Sequence, residues 1–158
     1  MTDATVSVRA ATRADREALA AWLQARHPLP AIARRGRDEA LCRLLDRPEL
    51  GLCLLAQAGG AWSACMPVHL LPRLDLGGLA VLAAEWWSGS VAEPAYRALL
   101  LAACRNWLAD WCRAHGVRHL LLAPALAPAP DDADAAMVQP LPDGLWHRDL
   151  APAAKVLR

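Results

Sequence analysis

The sequence contains no phenylalanine and only one tyrosine, so seven tryptophans carry nearly all of its aromatic content. Lys155 is its single lysine; every other residue in the Lys+Arg count is arginine. These scarcities remove most phenolic acids and amine nucleophiles from the possible catalysts, and any chemistry must come from few residues. Long apolar runs are also missing. The stretch 120–126 is interrupted by Pro124 and followed by Pro128 and Pro130, well short of the roughly 18 apolar residues a membrane-spanning helix needs. No basic segment leads into an apolar one at the N-terminus, so no secretory leader is expected and the cytoplasm is the default location. An excess of one charge is absent too: 17 Lys+Arg against 16 Asp+Glu give a formal charge of +1, which supplies no strong field for nucleic acid or an anionic membrane. Five cysteines, at 42, 53, 65, 104 and 112, form no C-x-x-C. That number and spacing argue against a disulfide framework or a zinc site, and the thiols read as reduced, buried small hydrophobes.

What is present is hydrophobic substance. With 56% hydrophobic and 21% charged residues over 158 positions, the chain can offset its conformational entropy by burial, and one domain spanning residues 1–158 is expected. Residues 5–10 alternate as a strand, and Thr12 followed by Asp15 begins a helix whose stripe is Leu19, Trp22 and Leu23. Prolines 28 and 30 end it. A second helix over 37–46 follows, with Leu41, Leu44 and Leu45 on one face and Arg34, Arg35 and Arg37 just ahead of it. That arginine cluster reads as a solvated face, with an anionic patch as its alternative; no nucleic-acid motif accompanies it. Residues 50–57 form a buried strand, Ala58-Gly59-Gly60 a turn, 61–71 the returning strand and 79–87 a third, an antiparallel meander. Pro67 lacks a ladder donor, so a bulge or an edge is expected there. The longest helix is predicted over 94–115, with Pro94 in its first turn and Gly116 as its stop. Residues 117–123 then return as a strand parallel to the third or fourth strand. A short helix near Asp131 and two last strands, 145–150 and 154–157, complete the order β-α-α-β-β-β-α-β-(α)-β-β. This is an α/β (α+β) architecture, a mixed, mostly antiparallel central sheet with helices on both faces.

Arg9-Ala10-Ala11-Thr12 with Asp15, then Glu85-Trp86-Trp87 at a strand end, the Tyr96-Arg97-Ala98-Leu99-Leu100 helix start and His115-Gly116-Val117-Arg118 before the next strand together resemble the GNAT superfamily of acyl-CoA-dependent N-acyltransferases. The resemblance implies acetyl-CoA, or another acyl-CoA, as co-substrate, seated where the fourth and fifth strands part. It implies a pyrophosphate held by backbone N–H groups of a glycine-rich loop at the long helix. The corresponding segment, Ser88-Gly89-Ser90-Val91-Ala92-Glu93-Pro94, holds one glycine and departs from the family pattern of [Q/R]-x-x-G-x-[G/A]. Ser88, Gly89, Ser90 and Arg97 are its candidate phosphate contacts, and residues 82–87, with Trp86 and Trp87, its candidate pantetheine contacts. Glu85 is the candidate base, partly shielded from water by the two indoles. The family's tyrosine acid, on the helix after the fifth strand, has no counterpart; the only tyrosine, Tyr96, stands on the preceding helix and is the second catalytic candidate beside Glu85.

Cys65, His69, His119 and His147 are further acid-base candidates, although Cys65 and His69 are separated by about 13 Å if both lie on one strand. The reading that follows is acyl transfer to an unidentified amine by direct attack within a ternary complex. Its alternative is a catalytically degenerate scaffold of the same fold that binds partners or forms a homodimer through Trp86 and Trp87.

Overall fold

The computed structural model describes residues 5–89 and 93–151. Strand β1 (Ser7–Ala10) leads through a 3-10 turn (Arg13–Asp15) into α1 (Arg16–Arg26), and α2 (Ala31–Asp46) precedes the meander β2 (Gly51–Ala58), β3 (Ala61–Arg73), β4 (Gly78–Ala83) and β5 (Trp87–Ser88). Helix α3 (Pro94–Ala114) crosses to β6 (His119–Leu122), after which β7 (Gln139–Pro140) and β8 (Trp146–Asp149) close the sheet. Its order is β1-β2-β3-β4-β6-β8-β7, with β5 also paired to β3. All pairs are antiparallel except β4 with β6, as a helical crossover demands.

The amphipathic patterns sort the helices onto opposite faces. Leu100, Cys104, Leu108 and Cys112 of α3 pack on the sheet face that carries Leu54, Met66, Val81 and Leu120. Leu19, Trp22 and Leu23 of α1 and Leu41 and Leu44 of α2 pack on the other face, over Cys53, Leu55 and Cys65. Strand β6 is buried along all four residues, which is why it reads as an unbroken apolar run rather than an alternating one. The turn after α3 uses Gly116 at φ +70°, a left-handed conformation glycine adopts without steric cost. Among the described residues no helix is long and apolar enough to cross a membrane.

Three expectations are corrected. Helix α2 begins at Ala31, six residues before the predicted start, because Pro30 at extended backbone angles serves as its N-cap residue; the prolines that end α1 also launch α2. Arg34, Arg35 and Arg37 are therefore inside the helix. The predicted strand 79–87 is two segments, separated at residues 84–86. Near Asp131 the chain makes only a 3-10 turn, Ala135–Met137, since it must be extended again at β7, Gln139–Pro140. The last predicted strand, 154–157, and Ser90 lie outside the described residues.

The break between β4 and β5 shapes the site. Val68 of β3 pairs with Ala83 and Cys65 with Trp87, so two residues of β3 face three of the incoming strand, which makes a β-bulge. Ser63 O accepts the Gly89 N–H at 3.0 Å, and alternation from Ser63 places the missing N–H of Pro67 on the bulged side. The irregularity expected at Pro67 is there, in its neighbour. Trp86 packs on the α3 face and Trp87 on the α1–α2 face; alternation holds from Glu85 onward, which leaves Ala84 as the supernumerary residue.

Candidate active site

Strands β4 and β6 run together only as far as Ala83, whose carbonyl takes the Ala123 N–H at 2.9 Å. Pro124 then turns the β6 side away into a 3-10 turn, Pro124–Leu126, while β5 stays on β3. Residues 84–86 are thus free of the β6 ladder. Of the backbone expected to bind pantetheine, Leu82 and Ala83 are already paired with Leu121 and Leu122, so the unpaired part is shorter than the predicted 82–87.

On the α1–α2 side of this gap, Glu85 and Trp87 line a cavity of about 110 Å³ together with His69, Arg37, Cys65 and Leu44. The Trp87 Nε1–H donates to Glu85 Oε2 at 3.2 Å, and Glu85 Oε1 lies 3.8 Å from His69 Nε2. Both side chains are about half exposed, at 50% for Glu85 and 45% for His69. The indoles therefore do not enclose Glu85 as expected: Trp86 faces the opposite side of the sheet, and Trp87 meets the carboxylate edge-on through its N–H. Cys65 and His69, four residues apart on β3, border the same cavity, but the thiol is held in reserve. Its Sγ contacts Cys53 Sγ at 3.2 Å, and that contact, with burial, pushes the Cys65 thiol well above its ordinary range, which leaves it a poor nucleophile.

The rim is built by His27, which carries no local sequence signal, and by Arg37, which belongs to the arginine cluster read from the sequence as a solvated face or an anionic patch. His27, at the end of α1, bonds Ser88 O through Nε2 at 3.0 Å and meets Trp87 edge to face at 5.1 Å. Arg37 donates to His27 O and to Gln24 Oε1, each at 2.7 Å, and its guanidinium lies 5.9 Å from the Trp87 ring. The α1–α2 connection is thereby pinned to β5. No motif could have signalled the His27–Ser88 contact, because it joins positions 61 residues apart.

No protein-family model matches the sequence, and no curated protein does. Solved structures do. A GNAT family N-acetyltransferase from Escherichia coli in complex with CoA is similar at a TM-score of 0.62 and 12% identity, over 96% of this chain and 84% of that one. A GNAT family acetyltransferase from Brucella melitensis in complex with acetyl-CoA is similar at 0.60 and 14% identity, over 94% and 90%. An integron cassette protein from the mobile metagenome of Cole Harbour Salt Marsh is similar at 0.59 and 24% identity, over 75% and 78%. The chain has the GNAT fold.

Within that GNAT fold the remaining candidate residues are placed as follows. Ser88 and Gly89 follow the bulge, and a Cβ on Gly89 would come within 2.8 Å of Arg26 Nε and 3.4 Å of Trp22; the loop lies directly against the end of α1. Arg26 is stacked over Trp22 at 4.7 Å and was not anticipated from the sequence. Helix α3 begins at Pro94, which has no N–H to offer, behind Glu93 at its N-cap, and among the described residues no side chain caps its first turn. Arg97 sits in that turn and donates to Ala125 O at 3.3 Å, reaching from α3 to the far lip of the gap. The Tyr96 hydroxyl contacts Ser63 Oγ at 3.0 Å. It is held against β3, and the cavity around Glu85 is lined without it.

Proposed function

We propose that this protein transfers an acyl group from acyl-CoA, in the first instance acetyl-CoA, to an amine by direct attack. The single observation that carries the reading is the bulge at Ala84: it parts the strand from β6, frees the backbone of residues 84–86, and turns Glu85 into a cavity. The GNAT fold, with two similar structures holding CoA or acetyl-CoA, supports the same reading. Arg97, in the first turn of α3, stands where it could meet the phosphates, and the strand backbone of residues 84–86 where it could meet the pantetheine amides.

Bound acyl-CoA supplies a thioester carbonyl open to nucleophilic attack. Glu85 takes the proton of the attacking amine through Oε1, the oxygen not engaged by the Trp87 indole; the C–N bond forms as the C–S bond breaks, and the proton passes on to the departing sulfur. A high-pKa Cys65 favours this direct route over an acyl-cysteine. Isothermal titration calorimetry with acetyl-CoA tests the reading. Modest affinity, tens to hundreds of micromolar, is expected; absence of heat and of a thermal shift at millimolar acetyl-CoA would overturn it.

A second reading, a scaffold that binds partners without acyl-CoA, is favoured by one observation. Tyr96 and Arg97 both spend hydrogen bonds on the protein itself. Light scattering on wild type and Trp87→Ala checks its dimeric form.

A further inference from the structure

Acyl transfer leaves open which amine is acylated, and the cavity beside Glu85 narrows the choice. Its walls are apolar, from Leu23, Leu41, Leu44, Pro67 and the Trp87 ring, and its charged members are Glu85 and Arg37. Arg37 makes its polar contacts to neutral groups, His27 O and Gln24 Oε1, and no carboxylate pairs with it among the described residues. One anion and one uncompensated cation therefore face the same small space. A first ammonium is welcomed by Glu85, whereas a second one nearby would meet the like charge of the Arg37 guanidinium. Ala40, Leu44 and His69 also line a neighbouring shallow depression of about 490 Å³. The carboxylate there, Glu39, is already bonded to Arg43 at 2.5 Å, so it offers a polycation little.

Size points the same way. The cavity holds about 110 Å³, somewhat below the roughly 150 Å³ that accommodates benzene in an apolar cavity. A branched alkyl group of about four or five carbons fills it.

We propose that the acceptor is a small monoamine on a branched apolar body, its nitrogen at Glu85 and its carbon skeleton between α2 and β3, and that polyamines and multiply amino-substituted sugars are rejected. The proposal rests on the acyl-transfer reading for its chemistry, but the recognition itself is testable without turnover. Calorimetry with 3-methylbutylamine, spermidine and kanamycin, in the presence of CoA, compares the classes on the wild-type protein. Ala40→Trp then blocks the cavity from an exposed helix position that lines both spaces.

Wild type is expected to bind 3-methylbutylamine at least tenfold more tightly than spermidine or kanamycin. Ala40→Trp should lose at least tenfold for that amine with CoA affinity unchanged. Equal or tighter binding of spermidine or kanamycin, no binding of 3-methylbutylamine, or an Ala40→Trp protein that binds it normally overturns the proposal. Should Ala40→Trp fail to fold, the comparison of amines on wild type decides alone. If the monoamine binds selectively while neither CoA nor acetyl-CoA does, the acyl-transfer reading falls and the cavity assignment survives.

Discussion

Glu85 and Arg105 show two ways in which a single charged side chain is used. Glu85 stands in a half-exposed position with one oxygen engaged by Trp87, and general-base assistance contributes about 10²–10⁴ in rate. Glu85→Gln is expected to lower kcat by about that factor while acetyl-CoA affinity in calorimetry changes less than twofold. Arg105 is buried on α3, donating to Leu126 O and Asp132 Oδ2, both at 3.2 Å. Burial pulls its pKa down, and Asp132 opposes the shift. Asp132→Asn leaves that cation without its anion and is expected to destabilise by about 1–2 kcal/mol, since Asp132 is itself partly in water. Arg105→Met, which removes the buried charge together with the pair, is expected to cost less than Asp132→Asn. Urea midpoints of the two variants check the order.

The bulged run from β4 to β5 is the element on which the site depends. Its extra residue, Ala84, contributes no ladder pairing, and the side chains from Glu85 to Trp87 would keep their faces if it were removed. Deletion of Ala84 is therefore expected to leave the thermal midpoint unchanged or higher while acetyl-CoA binding is lost, because the strand would then run alongside β6 past Ala83. Retained binding in the deletion variant would show that the gap does not require the bulge. This element also marks the border of what was legible from sequence. Pro67 announced an irregularity through its missing donor, yet nothing in residues 79–87 said that the extra residue sits in the opposite strand. Likewise Thr12 and Asp15 mark the start of α1 in the sequence, and Arg9 joins them in the structure. The two-point bond between Arg9 and Asp15, 2.8 Å at each contact, with Thr12 N–H on the same carboxylate at 2.8 Å, shows why that start is fixed. The beginning of α2 is hidden in the sequence because Pro30, which cannot continue α1, is also the residue from which α2 starts. Glu85 is legible from its strand end and Arg37 from its arginine cluster, whereas His27 and Arg26 reach the site through contacts between distant segments, which carry no local pattern.

Across the whole molecule, pH acts through two sets of groups with the same sign. His119 Nδ1 and His147 Nε2 are 3.0 Å apart and both rings are buried. Burial, reinforced by His119, holds the His147 pKa below its usual value, so the unfolded chain takes up that proton first as pH falls. Stability should therefore decline as pH drops below about 6.5. Asp15 and Asp149 are held well below the ordinary carboxylate range by hydrogen bonds from Arg9 and Arg118 respectively, and their contributions are lost at lower pH, from about 4 downward. Thermal midpoints are expected to be highest above neutrality, with a first decline near pH 6 that His147→Asn removes and a second in acid that it leaves in place.

Pro67 gives the gap between the strands a permanence that side chains alone would not. A proline in β3 cannot supply the donor needed to straighten its neighbour, so the defect is written into the covalent chain and exists before any ligand arrives. Under the proposed function, acyl-CoA entering there would have no strand pair of residues 84–86 to break, so its interaction energy would not be diminished by that opening step.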